Sequence, residues 1–223
     1  MPDLPSRRGR THDAEGAREA ILNAAEKVFA EHGFDGARID AIAKESGYNK
    51  SLIFQYYGDK LALYAAVVRR ADDQTREMQN ETLSALNADL AISPDQIRTL
   101  LANFIGWYFD YLAEHPRVQR IFMWEMAEGW QTFSKVLLQR DFDDIDDFAP
   151  VLQRIQAAGL LRSGINPLVQ LTPALFMCLI YQALLPFFKV MMPDVDTDSP
   201  VAMKNARKYL VDFVINGLLI APP

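Results

Sequence analysis

The sequence predicts an all-α protein of about nine helices. Apolar residues recur at spacings of three and four along most of the chain, and no segment keeps the strict alternation of a strand. Ser-Pro pairs at 93–94 and 199–200 and an Asn-Pro pair at 166–167 each offer an N-cap followed by proline at the first helical position. Together these observations favour helices joined by short connections.

The composition is that of a folded protein without disulfides. Half of the 223 residues are apolar and 23% are charged, which excludes a wholly disordered chain. Cys178 is the single cysteine, so no intrachain disulfide can form. The first ten residues lack the apolar stretch of a signal peptide, and we expect a cytoplasmic protein. Residues 167–188 are uncharged, but their prolines and glutamines favour a buried core helix, and we expect no membrane partner.

The N-terminal region is expected to hold a polar arm and a long helix. Residues 1–12 are polar and should form a mobile arm. From Ala17 to Phe29, apolar residues follow the i, i+3, i+4, i+7 rule over three turns. Gly33 can adopt a left-handed conformation and therefore ends this first helix.

Two short helices and one long helix follow. The second helix starts near Ile39 and is broken at Gly47. Asn49 is a good N-cap for the third helix. Asp59 caps the fourth, which runs to about Leu86.

Five further helices complete the predicted fold. The pair 93–94 opens the fifth, and His115-Pro116 ends it and starts the sixth. The seventh spans roughly 131–158 and is interrupted in its acidic middle. The pairs 166–167 and 199–200 open the eighth and the ninth.

The second and third helices have the spacing of a helix-turn-helix. Such a unit needs a small residue where two helices cross, a turn that tolerates glycine, and an apolar residue that locks the second helix onto the first. Ala43, Gly47 and Ile53 meet these needs in order. Residues 1–60 hold nine Lys+Arg against ten Asp+Glu, so spacing rather than charge indicates DNA binding. The alternative is a helical hairpin with a polar exposed face.

The run from Ile21 to Tyr64, ILNAAEKVFAEHGFDGARIDAIAKESGYNKSLIFQYYGDKLALY, resembles the N-terminal domain of TetR-type bacterial transcriptional repressors. The resemblance implies a homodimer, an inverted-repeat operator of double-stranded DNA, and a small-molecule effector that releases the DNA. It implies a DNA-binding domain over residues 13–60 and a ligand-binding and dimerisation domain over residues 61–223.

The predicted DNA contacts come from the second and third helices and the start of the fourth. Glutamine can read adenine with two hydrogen bonds, and lysine, serine and tyrosine can reach phosphates. The resemblance implies that Tyr56 and Lys60 touch phosphates. Leu52 departs from the family, where a hydroxyl is frequent, and offers an apolar contact instead. The full set is Arg38, Lys44, Asn49, Lys50, Ser51, Leu52, Phe54, Gln55, Tyr56 and Lys60.

Residues 104–133 are rich in aromatic side chains and contain all three tryptophans. They either fill a helical core or line an apolar pocket, since both use tryptophan, tyrosine and methionine. Glu125 and Glu128 are expected to face solvent or a cationic ligand. We expect a mainly apolar effector in contact with Trp107, Tyr111, Met123, Trp124, Met177 and Tyr181.

The last helix carries an apolar stripe that a monomer would leave exposed. It predicts an isologous interface in a four-helix bundle. The stripe consists of Tyr209, Leu210, Phe213, Val214, Gly217 and Leu218.

Other function classes fit less well. An all-helical enzyme would need a phosphate loop, a nucleophile elbow or a Cys–His pair, and the sequence has none of these motifs. We therefore predict no enzyme activity and no cofactor. The acidic run 141–147 does not fit the EF-hand pattern and the histidines are far apart, so we predict no metal site. A DNA-binding regulator without an effector stays open as an alternative.

Overall fold

The computed structural model of the chain describes residues 7–88, 93–138, 143–161 and 163–220. These residues form helices and no strand, apart from one isolated bridge between Leu161 and Leu219. The helices are α1 (Arg7–Gly36), α2 (Ile39–Ser46), α3 (Lys50–Tyr57), α4 (Lys60–Ala88), α5 (Pro94–Glu114), α6 (Pro116–Ala127), α7 (Gln131–Leu138), α8 (Asp143–Ala157), α9 (Pro167–Ala183), α10 (Leu185–Met191) and α11 (Pro200–Leu218).

The all-α prediction is confirmed, but the count of about nine is too low, because the described residues form eleven helices. The predicted seventh helix is two helices, α7 and α8. The predicted eighth is also two, α9 and α10, with a bend of 49° between them. Pro186 explains that bend, since it has no N–H to donate to the carbonyl of Gln182.

The first helix begins earlier than expected. Residues 7–12, which we assigned to the arm, are helical, and residues 1–6 lie outside the described part of the chain. The segment from Arg7 onward contains no proline and has several good helix formers, so the helix can extend over it. The helical conformation breaks at Gly33, as predicted, with φ 67° and ψ −179°.

Side-chain caps fix five helix starts where the sequence predicted them. The Asn49 side chain accepts a hydrogen bond from the Leu52 N–H at 2.9 Å. The Asp59 carboxylate accepts one from the Ala62 N–H at 2.7 Å. Ser93 forms a capping box that leads into α5. The side chains of Asn166 and Ser199 each accept one backbone N–H and so cap α9 and α11.

The chain divides into two compact units. The first comprises the described residues of Met1–Gln74 and Arg117–Arg140. Its core is formed by α1 to α4 together with α6 and α7, which contribute Ile121 and Val136. Arg70 also ties α4 to α1 within this unit. The predicted functional division into 13–60 and 61–223 stays a prediction.

The second unit comprises the described residues of Thr75–Pro116 and Asp141–Pro223. In it, α5 packs against α9 and α11. The buried Gln182 amide donates to the carbonyl of Phe109 at 2.6 Å. Arg207 donates to both carboxylate oxygens of Asp110 at 2.8–2.9 Å, and its guanidinium lies directly over Gly106.

One bent pair of helices has the length and composition that could cross a membrane. Among the described residues, no single helix combines the length and apolar composition needed to cross a bilayer. The bent pair α9 and α10 meets both criteria only when the two are taken together.

Candidate nucleic-acid interface

The turn between α2 and α3 is built by the residues that the sequence predicted. Gly47 takes a left-handed φ of 77°, which a glycine adopts without strain. Ile42 and Ile53 are 0% and 1% exposed, so they lock the two helices into the core of the first unit. The Tyr57 hydroxyl donates to the carbonyl of Arg18 at 2.9 Å and fixes the end of α3 to α1.

The outward side of α3 is accessible and mostly polar. Lys50, Ser51 and Gln55 are exposed, and Phe54 is 42% exposed. Leu52 is half-buried. This surface can therefore combine base reading by an amide, phosphate contacts by a cation and a hydroxyl, and apolar contacts.

Arg18 is a residue of this surface that the sequence analysis missed. Its guanidinium lies over the half-buried ring of Tyr56, 4.9 Å from the ring centroid. Nothing in the sequence reveals this contact, because the packing of α1 against α3 is a tertiary property. Arg18 adds a cation beside a tyrosine that is predicted to touch phosphate.

The other predicted cations differ in how firmly their own chain holds them. Arg38 precedes the first turn of α2 and Lys44 lies in its last turn, and both are exposed. Lys60 is half-buried, and its Nζ lies 4.6 Å from the centroid of the Phe34 ring and donates to the carbonyl of Asp35 at 3.4 Å. Burial lowers the pKa of Lys60, and nearby carboxylates act in the opposite direction. Removing Lys60 would therefore alter packing as well as charge.

Comparison with known proteins assigns this helix-turn-helix to a family. Residues 21–67 match the family described as bacterial regulatory proteins, tetR family. Residues 98–214, more than half of the chain, match the tetracyclin repressor-like C-terminal domain. The chain belongs to the TetR family. It is therefore a DNA-binding transcriptional regulator and not an enzyme, as the sequence predicted.

Individual relatives support this membership. The TetR-family chain is 36% identical over 116 residues to the transcriptional repressor SCO4008 of Streptomyces coelicolor, a match that covers 52% of this chain and 53% of SCO4008. It is 30% identical over 158 residues to the transcriptional repressor NicS of Pseudomonas putida, covering 70% and 71%. The crystal structure of SCO4942 from Streptomyces coelicolor aligns with a TM-score of 0.60 and 26% identity, covering 91% and 98%.

In this TetR-family chain a buried carboxylate of α6 joins α4 to the first turn of α7. Glu125 is 1% exposed, whereas we expected it to face solvent or a ligand. The expectation was wrong because Val118, Ile121 and Glu125 share the buried face of α6. The Tyr64 hydroxyl donates to Glu125 Oε1 at 2.5 Å, and the Phe133 N–H donates to Oε2 at 3.0 Å. Burial, and then the bond to this carboxylate, raises the pKa of Tyr64.

The six predicted effector residues belong to both units. Met123 and Trp124 lie in the first, where Trp124 is 39% exposed and its indole N–H donates to the carbonyl of Ala30 at 3.2 Å. In the second, the rings of Trp107 and Tyr111 stack at 5.5 Å. The remaining two residues are both half-buried on α9: Met177 and Tyr181. A pocket formed by all six stays a prediction.

The apolar stripe on α11 has two faces. Leu210, Val214 and Leu218 are 4%, 3% and 7% exposed, and are therefore buried within their own chain. Tyr209 and Phe213 are 64% and 53% exposed, and no atom lies within 4 Å of a Cβ built on Gly217. The second face is the part of the predicted dimer stripe that a partner could reach.

The absence of a metal site stays a prediction. Among the residues that the structure describes, no three potential ligand side chains come together as a metal site would require. The acidic side chains of 141–147 lie outside the described ones.

Proposed function

We propose that this chain represses transcription as a homodimer bound to an inverted-repeat operator in double-stranded DNA, and that a mainly apolar small molecule releases it. The observation that carries the proposal is the accessible polar side of α3, held rigid by the buried Ile42 and Ile53. In a two-fold dimer, two such helices would enter successive major grooves about 34–36 Å apart. The relatives SCO4008 and NicS are both transcriptional repressors.

The DNA contacts are proposed to divide into base reading and phosphate binding. Gln55 is exposed near the middle of α3, where its amide can make two hydrogen bonds to adenine. Lys44 is exposed in the last turn of α2 and suits a phosphate contact, which adds affinity without sequence information. The operator itself can be obtained by sequencing the genomic fragments that the protein retains.

Substitutions at these two positions are expected to have different effects. Gln55→Ala should relax the preference for one or more operator bases and leave the salt dependence unchanged. Lys44→Ala should weaken binding to every sequence and reduce the slope of log affinity against log salt by about 1. Anisotropy titrations on the operator and on single-base variants at several salt concentrations measure both. The same loss of base preference in both variants would contradict the division.

The homodimer is proposed to form through the exposed face of α11. The rings of Tyr209 and Phe213 lie 6.1 Å apart and remain largely exposed, which is a costly arrangement for an isolated chain. An isologous contact would cover this face on both copies. Gly217, one turn further along, would allow close approach of the partner helix.

Phe213→Glu is expected to produce monomers at micromolar concentration and to weaken operator binding, because it puts a charge into the proposed interface. Sedimentation equilibrium gives the oligomeric state. Leu138→Glu is the matched control: Leu138 is 87% exposed on α7 and should tolerate the change without altering the oligomeric state. Substituting Val214 would test folding instead, since Val214 is buried in its own chain. A wild-type protein that is monomeric in this concentration range would refute the dimer.

The effector is proposed to be mainly apolar because the predicted contacts are aromatic or methionine side chains and carry no formal charge. Trp107 and Tyr111 form a stacked pair of the aromatic kind that lines apolar ligand pockets. α4 follows α3 in the chain and carries residues of both units. A ligand that binds more tightly to one arrangement of α4 than to another could therefore change the separation of the two α3 helices in a dimer. Screening hydrophobic, cationic and anionic compounds for operator release would identify the ligand class.

A further inference from the structure

Lys50, the first residue of α3, is paired with a carboxylate of the neighbouring helix α2. Lys50 begins α3, and Asp40 lies in the first turn of α2. The Lys50 Nζ is 2.5 Å from Asp40 Oδ1, and the two side chains are 51% and 72% exposed. The pair therefore lies on the surface that we propose faces DNA.

A pair this exposed contributes little to folding, because water screens both charges. We expect the pair to affect the affinity for DNA more than the stability of the fold. Sequence-independent DNA binding depends on lysines and arginines that neutralise phosphates and release counterions. While Lys50 is paired with Asp40, it cannot neutralise a phosphate. The Asp40 carboxylate also repels phosphates. Residues 1–60 hold nine cations against ten carboxylates, so the loss of one cation matters.

We propose that Asp40 is a specificity-determining residue that weakens sequence-independent DNA binding by holding Lys50. The inference rests on the proposed function of α3. Non-specific binding has only electrostatic contacts to draw on, whereas operator binding also has base contacts. Because a genome offers on the order of 10⁶–10⁹ competing sites, weaker non-specific binding leaves more protein free to occupy the operator.

A second ion pair on α2 provides a matched control. Glu45 pairs with Lys27 of α1 at 2.7 Å, and the two side chains are 41% and 38% exposed. Glu45→Gln and Asp40→Asn each remove one negative charge from α2 and leave an amide in its place. Neither Glu45 nor Lys27 belongs to the proposed DNA contacts. A difference between the two variants therefore reports the position of the charge and not the net charge.

The experiment measures binding of each full-length variant to a random-sequence duplex of about three helical turns, between about 50 and 200 mM salt. Asp40→Asn should bind this duplex roughly three- to tenfold more tightly than wild type at the lowest salt, with a salt slope steeper by about 1. Glu45→Gln should change the affinity less than twofold. Adding Lys50→Gln to Asp40→Asn should abolish the gain.

Two further measurements separate the possible failures. Asp40 also stabilises the start of α2 through the helix dipole, so melting temperatures are compared and Asp40→Ser serves as a second variant that should show the same gain. Equal affinities of Asp40→Asn and Glu45→Gln for the random duplex, with wild type still binding its selected operator, would overturn this inference alone. No binding of wild type to any genomic fragment or duplex would overturn the proposed function with it.

Discussion

Replacing Glu125 by alanine is expected to lower the free energy of unfolding by about 2–4 kcal/mol. The substitution leaves the buried Tyr64 hydroxyl and the half-buried Phe133 N–H without their acceptor, and the loss at a fully buried group costs about 1–3 kcal/mol. Part of this cost is offset, since alanine removes a carboxylate from a site where Glu125 is only 1% exposed. Urea unfolding at neutral pH, followed by circular dichroism, measures the change.

Glu125→Gln is the control for this prediction. Its amide oxygen can accept from the Phe133 N–H, and its amide N–H can donate to the Tyr64 oxygen, so both groups keep a partner. The loss should be less than half of that for alanine. Equal losses in the two variants would contradict this prediction, because they would mean that an amide of the same size cannot replace the carboxylate as partner of Tyr64 and Phe133.

Gly33→Ala is expected to lower the free energy of unfolding by about 2–4 kcal/mol for a different reason. The backbone at Gly33, with φ 67° and ψ −179°, lies in a region that is essentially restricted to glycine. A Cβ there would also approach Glu128 Oε1 to 2.9 Å and the Trp124 ring to 3.0 Å. The Trp124 ring is wedged in place, because its indole N–H donates to the Ala30 carbonyl.

The same substitution at Gly16 should have the opposite sign. Gly16 lies within the helical part of α1, and no atom lies within 4 Å of a Cβ built on it. Alanine is preferred over glycine at such a position by about 0.5–1 kcal/mol. Thermal unfolding of the two variants gives both values. An unchanged Gly33→Ala would contradict the assignment of strain to Gly33, and a destabilised Gly16→Ala would contradict the prediction for the open helical position.

Helix starts and the helix-turn-helix were predictable because they depend on neighbouring residues. Asn49 and Asp59 cap the helices that follow them through side-chain oxygens that reach only three residues along the chain. Gly47 and Ile53 are equally local, since their spacing alone defines the turn and the inward face of α3. The bend at Pro186 has an equally local cause, because a proline inside a helix lacks the N–H that would bond to the preceding turn.

The burial of Glu125 and the two faces of α11 were not predictable from spacing. Val214 and Phe213 are adjacent apolar residues in the same stripe, yet Val214 is 3% exposed and Phe213 is 53% exposed. Hydrophobic periodicity identifies residues that avoid water and does not distinguish the chain's own core from the surface of a partner. A buried glutamate is rare enough that composition argues against it, and only its hydrogen-bond partners explain it.

The first unit is built from two separate segments of the chain, and this affects how such regulators can evolve and be engineered. Ile121 and Val136 belong to the same core as Ile42 and Ile53, although more than sixty positions separate the two pairs along the chain. A chimaera joined at residue 60 would combine the DNA-binding helices of one parent with α6 and α7 of another. The core of its first unit would then mix side chains from two parents. Exchange of DNA-binding domains between paralogues should therefore succeed only when residues 117–140 are transferred together with the N-terminal helices.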